Sequence, residues 1–142
     1  MKQFNIIVKN KIGSLAEVTG CLAKSAVNIK AIATEAVCAF ELPAEGKPKN
    51  GLIKVVTDDL STTRNALQKN NINFTESDIM VLELIDRPGE LAKVAGKLAE
   101  AGVNVESVYL LGKNKENNRG QIAFSVDNLK QASGVVKDFK AY

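Results

Sequence analysis

With 142 residues, 45% of them hydrophobic and 25% charged, the chain has the composition of one ordinary globular domain or two small ones. A net charge of +3, 5% aromatic residues and no histidine argue against a nucleic-acid binder with a dense basic stripe and stacking rings, and against histidine-based catalysis. No run of 18 apolar residues exists, so no transmembrane helix is expected. The start, Met1 to Phe4, lacks the apolar segment of a signal peptide, which makes the cytoplasm the expected compartment.

In chain order, Phe4, Ile6 and Val8 alternate with polar neighbours and predict a strand buried on one face. Asn10 to Gly13 is a turn, and Ser14 is placed to cap the helix that follows. Leu15, Val18, Leu22 and Ala26 fall on one face of that helix at spacings of 3 and 4. Gly20 lies in its middle, where a glycine costs about 1 kcal/mol relative to alanine. Its presence predicts close approach by another element. Val27 to Leu42 reads as a long strand and Pro43 to Gly51 as a polar loop. Lys47, Lys49 and Lys54 form the one local basic cluster, best read as solvated side chains around that loop. Ile53, Val55 and Thr57 alternate again, Asp58 or Asp59 caps a second helix with Leu60, Thr63 and Leu67 inward, and Ile72, Phe74 and Ile79 to Ile85 are extended. Cys21 and Cys38, without histidine, fall short of a zinc site and read as reduced thiols.

The second half repeats the first. Residues 13–32 and 89–108 share 9 identities in 20 positions at an offset of 76, including Gly13/Gly89, Leu15/Leu91, Gly20/Gly96, Leu22/Leu98 and Asn28/Asn104. The helix from Glu90 is expected to bury Leu91, Val94, Leu98 and Ala101, leaving Glu90, Lys93, Lys97 and Glu100 outside. A strand over Val103 to Leu111, a hairpin loop from Lys113 to Gly120, and a strand through Ile122, Phe124 and Val126 follow. Asp127 then caps a helix bearing Leu129, Ala132, Val136 and Phe139, at an offset of 69 from Asp58. The boundary falls between residues 1–76 and 77–142. Two βαββαβ units are expected, an α+β fold of ferredoxin-like type with antiparallel sheets and helices on one face. Little sequence is left after Phe139 for a last strand. The second sheet should therefore lack most of that strand, having three strands or borrowing the fourth.

The motifs Asp86-Arg87-Pro88-Gly89-Glu90-Leu91 and Gly102-Val103-Asn104-Val105, with looser copies at Asn10-Lys11-Ile12-Gly13-Ser14-Leu15 and Ala26-Val27-Asn28-Ile29, resemble those of ACT domains. The chain is similar to small stand-alone proteins made of two such units. The resemblance implies a non-catalytic regulatory protein without metal or cofactor. It implies that an amino acid binds between the first turn of one unit and the second strand of another. By motif, the site residues are Asp86, Arg87, Pro88, Gly89, Glu90, Leu91 and Asn104, with Asn10, Ile12, Gly13, Ser14, Leu15 and Asn28 in the first copy. The first copy departs from the pattern, with Ile12 in place of proline and Asn10 in place of a carboxylate.

The residue types agree with that chemistry. Backbone N–H groups at a helix start suit a carboxylate, and the Asp86 side chain suits an ammonium group. The same residues also serve as ordinary turn formers, glycine and Asp or Asn before a helix. A homodimer is expected, and a biosynthetic enzyme is a candidate partner. An assembly subunit with a vestigial ligand site is the rival function. No nucleophile or acid–base pair stands at a diagnostic spacing for an enzyme.

Overall fold

The computed structural model describes residues 1–37 and 49–141. Cys38, Lys47 and the expected strand beyond Val37 lie outside them. The chain divides into two compact units, Lys2–Ser77 and Asp78–Tyr142 with Met1.

The first unit runs β1 (Lys2–Lys9), α1 (Ser14–Lys24), β2 (Ile29–Val37), β3 (Asn50–Thr57), α2 (Leu60–Lys69) and β4 (Phe74–Asp78). Its sheet has the order β2-β3-β1-β4, with β1 and β3 central. Alternation in β1 and β3 sends Phe4, Ile6, Ile53 and Val55 to one face. There they meet Val18, Cys21 and Leu22 of α1 and Ala66 and Leu67 of α2, so both helices cover the same side. Phe4 and Phe74 pack edge to face at 5.6 Å. Full burial of each large apolar side chain contributes roughly 1.5–3 kcal/mol.

The second unit repeats the plan: β5 (Met80–Ile85), α3 (Glu90–Glu100), β6 (Val105–Asn114), β7 (Arg119–Val126), α4 (Leu129–Val135) and β8 (Lys140–Ala141). The order is β6-β7-β5-β8. Its core joins Met80, Leu82, Leu84 and Phe124 to Val94, Leu98, Ala132 and Val136. The last strand is nearly missing, as expected, yet the sheet neither stops at three strands nor borrows one. Two residues supply it, pairing Ala141 with Leu82 and Lys140 with Glu83.

Several local readings change. The inward stripe of α1 is Ser14, Val18, Cys21 and Leu22. Leu15 is exposed, and Ala26 lies past the helix end at φ +54°. In α3, Leu91 is exposed and Glu90 is buried. Both stripes therefore begin one residue earlier than the periodicity suggested, because Gly13 and Gly89 cap the helices and set their phase. A Cβ on Gly20 or Gly96 meets nothing within 4 Å, so no element approaches either turn closely among the described residues. Asp59, not Asp58, caps α2, accepting from Thr62 N–H at 2.9 Å. Asn128, not Asp127, caps α4. The hairpin loop shrinks to 115–118, since β6 extends to Asn114 and β7 begins at Arg119.

Candidate ligand-binding site

Both copies of the turn are built alike. In the first unit, Asn10 N–H donates to the Lys49 carbonyl at 2.9 Å and Lys11 N–H to the Lys9 carbonyl at 2.9 Å. In the second, Asp86 N–H donates to the Asn118 carbonyl at 2.8 Å and Arg87 N–H to the Ile85 carbonyl at 2.9 Å. Gly13 and Gly89 then enter the left-handed region at φ +93° and +89°, where a side chain would be strained. Neither helix has a side-chain cap; Ser14 N–H and Glu90 N–H donate to the Lys11 and Arg87 carbonyls at 3.3 and 3.5 Å, and the helix dipole lies behind the turn. Ser14 does not cap its helix, because its hydroxyl turns back and donates to the Lys9 carbonyl at 2.6 Å.

In the first unit this turn borders a cavity of about 300 Å³. Asn10, Lys11, Ser14 and Leu15 form one wall, and Thr34, Glu35 and Ala36 of β2 form the other. Val8, Lys9, Gly51 and Ile53 complete it from the central strands. Glu35 is paired with Lys54 at 3.1 Å. Lys9 and Lys11 have no ion-pair partner among the described residues. The lining therefore offers cations, a helix start and an apolar floor. Ile12, from the candidate set, is fully exposed and does not line the cavity.

The second turn is differently furnished. The Glu90 carboxylate, 7% exposed, accepts from Lys93 Nζ and from Arg87 Nε, each at 2.7 Å. The hydrogen bonds from Lys93 and Arg87 hold its pKa below the ordinary carboxylate value. The Asp86 carboxylate accepts from Lys113 Nζ at 2.7 Å, so it already has a cation. Asp86 also borders a cavity of about 250 Å³ with the β6–β7 hairpin residues Lys113, Asn114, Lys115, Asn118 and Arg119. Gly89, Glu90 and Leu91 are not part of that lining.

Asn28 and Asn104 stand at the other end of their helices. Asn28 N–H donates to Asp58 Oδ1 at 3.1 Å, and Asp58 N–H returns to the Asn28 carbonyl at 3.2 Å. Asn104 and Asp127 repeat the exchange at 3.0 and 3.1 Å. An 11-residue helix spans about 16 Å, so within one unit neither asparagine reaches its own turn. Periodicity had no means of finding Lys9, Thr34 or Ala36, because strand pairing decides which residues face α1. The signal that could have found the cavity is the contrast between Ser14 and Glu90 in an otherwise close repeat.

Cys21 is buried. Its thiol donates to the Ala66 carbonyl at 3.3 Å, and burial pushes its pKa up. No group of His, Cys, Asp or Glu that could hold a metal occurs among the described residues. No helix there is long and apolar enough to cross a membrane.

Residues 1–141 match the family described as an ACT domain pair. The chain belongs to that family. Among solved structures, this ACT pair is similar to protein BT0572 from Bacteroides thetaiotaomicron, with 27% identity and a TM-score of 0.82 over 99% of this chain and 90% of that one. It shares its fold with the ligand-free regulatory subunit of aspartate kinase from Thermus thermophilus, at 17% identity and a TM-score of 0.63 over 96% and 90%. The regulatory subunit of aspartate kinase from Thermus flavus is alike at 16% identity and a TM-score of 0.63 over the same shares. Comparison with curated protein sequences gives no match. In both ACT units, the turn that the motifs singled out is the start of the first helix, capped by a left-handed glycine.

Proposed function

We propose that this ACT domain pair is a non-catalytic regulatory protein that binds an amino acid at an interface of ACT units and passes its occupancy to a partner. The observation that carries this reading is the cavity of about 300 Å³ at the first turn, where Asn10, Ser14 and Leu15 meet Lys9 and Lys11, two lysines with no ion-pair partner among the described residues. That volume is at the small end of metabolite sites, a fit for an amino acid. The carboxylate goes to the helix start and the lysines, and the ammonium goes to an acceptor from the turn or from another unit's second strand. Asn28 and Asn104 are proposed to act in that second way, across an interface, since their own turns are out of reach.

The shared fold with regulatory subunits of aspartate kinase makes a biosynthetic enzyme the proposed partner, and the cytoplasm the proposed compartment. A homodimer is proposed as the working form. Leu15 and Leu91 are exposed at matching positions, as are Ile32 and Val108, each by 42–47%.

The second reading is an assembly subunit whose ligand site is vestigial. It is favoured by one observation, that Asp86 and Glu90 already hold the chain's own cations. A thermal-shift screen with the twenty amino acids separates the two. A ligand that binds only the folded state raises the melting temperature as its concentration rises above Kd. A concentration-dependent rise with one amino acid, or with a small set, supports sensing. No rise with any of them supports assembly.

A further inference from the structure

The end of the β6–β7 hairpin carries charge that the repeat does not. Its last pairs are Lys113 with Gly120 and Asn114 with Arg119. The matching pairs of β2 and β3 are Ala36 with Gly51 and Val37 with Asn50. Two cations thus stand where the first unit has alanine and asparagine, and Lys115 follows them in the loop. This hairpin end is tied to the turn after β5. Asp86 N–H donates to the Asn118 carbonyl at 2.8 Å, and Asn118 Nδ2 donates back to the Asp86 carbonyl at 3.3 Å. Lys113 Nζ donates to Asp86 Oδ2 at 2.7 Å, and Glu116 N–H donates to Asn114 Oδ1 at 3.0 Å.

The cavity of about 250 Å³ beside these bonds has three cations in its lining and one carboxylate, Asp86, which Lys113 already neutralises. Lys115 and Arg119 have no ion-pair partner among the described residues, and Arg119 is half-buried. No apolar residue lines this cavity. A neighbouring cavity of about 430 Å³ shares Lys113, Asn114 and Lys115 and adds Gly112, Glu116 and Gln121, again with no ring and no apolar side chain. We infer that the hairpin end is a phosphate site, and that its ligand is a small phosphate ester with a hydroxylated body. A phosphate monoester carries about −1.5 to −2 charges near neutral pH, the match for two cations that have no internal counter-charge. The planar Arg119 guanidinium suits its oxygens with two parallel N–H donors, and Lys115 adds a point charge. Asn114, Glu116 and Gln121 offer hydrogen bonds to hydroxyl groups. A nucleotide would lack a ring to stack on, and an amino acid with an apolar side chain would lack a wall to bury it against. This site shares no residue with the first-turn cavity, so it stands or falls independently of the amino-acid reading.

The test is calorimetric titration of the full chain with inorganic phosphate, glycerol 3-phosphate and glycerol, at an ionic strength held with sodium chloride at about 0.15 M so that diffuse attraction is screened. The expected result is saturable binding of phosphate, tighter binding of glycerol 3-phosphate, and none of glycerol. Arg119→Ala, confirmed folded by its melting curve, weakens glycerol 3-phosphate binding at least about tenfold, the usual effect of losing a charged hydrogen-bond donor. Arg119→Lys, which keeps the charge and loses the fork, restores only part of it. Lys115→Ala weakens binding as well, whereas Lys130→Ala, which removes one exposed charge from α4, leaves it unchanged. Absence of phosphate and glycerol 3-phosphate binding at about 10 mM overturns the inference, as does equal weakening by Lys130→Ala and Arg119→Ala. Loss of binding in Lys11→Ala with wild-type affinity in Arg119→Ala places the anion at the first turn and overturns it too. Glycerol 3-phosphate bound no more tightly than inorganic phosphate overturns the assignment of an ester.

Discussion

Gly20 and Gly96 occupy the same turn of α1 and α3, where glycine is the least favourable residue after proline. Replacing either by alanine removes backbone freedom from the unfolded chain and adds one methyl group to the folded one. The structure decides the second part. A Cβ at either position has nothing within 4 Å, and neither residue has the positive φ that would strain it. The methyl group therefore neither clashes nor gains much packing, and the helix-propensity difference of about 0.8–1 kcal/mol stands alone. For a chain of this size that is roughly 4 °C in melting temperature. Urea denaturation of Gly20→Ala and Gly96→Ala, followed by far-UV circular dichroism, should show a higher midpoint with unchanged slope. A lower midpoint for either variant would refute the reasoning, because it would mean that backbone is held against that turn at a distance only glycine allows.

Ala26 holds φ +54°, where its repeat counterpart is Gly102, so Ala26→Gly should stabilise the protein by about 1 kcal/mol, read from the same urea curves. Hydrogen bonds from Thr62 and Ser61 lower the Asp59 pKa to about 2, below its ordinary value of about 3.9. Its stabilising share is therefore present above about pH 4 and lost as the pH falls towards 2. Asp59→Asn, which keeps a capping oxygen, should flatten that part of the melting-temperature profile, and an unchanged profile would contradict the assignment. Sedimentation equilibrium at tens of micromolar should give a dimer mass, and a clean monomer would remove the homodimer from the account.

The repeat made the fold legible. Once residues 13–32 were set on 89–108, the strand order and the central position of β1 and β3 followed from the βαββαβ plan. What escaped were features set by a single backbone angle or by pairing. Gly13 as a left-handed cap shifts the α1 stripe by one residue, which turned Leu15 outward and Ser14 inward. Asp127 looked like a cap because it precedes a helix, but its carboxylate accepts from Asn104 N–H, leaving the cap to Asn128. Gly20 and Gly96 suggested close packing because they recur, yet recurrence in a repeat records common descent of the two units as readily as contact. The turn residues of the site were readable from the motifs. Their distinct environments were not, because Glu90 had charged neighbours at helical spacing and read as one of a solvated face, whereas Arg87 and Lys93 fold over it from either side.

The central claim is that this ACT pair senses a small metabolite at its first turn, and the most direct measurement is an amide nitrogen–proton correlation spectrum of the full chain during an amino-acid titration. The account predicts saturable shifts that cluster on Lys9 to Leu15 and Thr34 to Ala36, with a dissociation constant below about a millimolar. It is contradicted if none of the twenty amino acids moves those resonances at ten times that concentration, or if saturable shifts cluster elsewhere and leave the first turn unchanged.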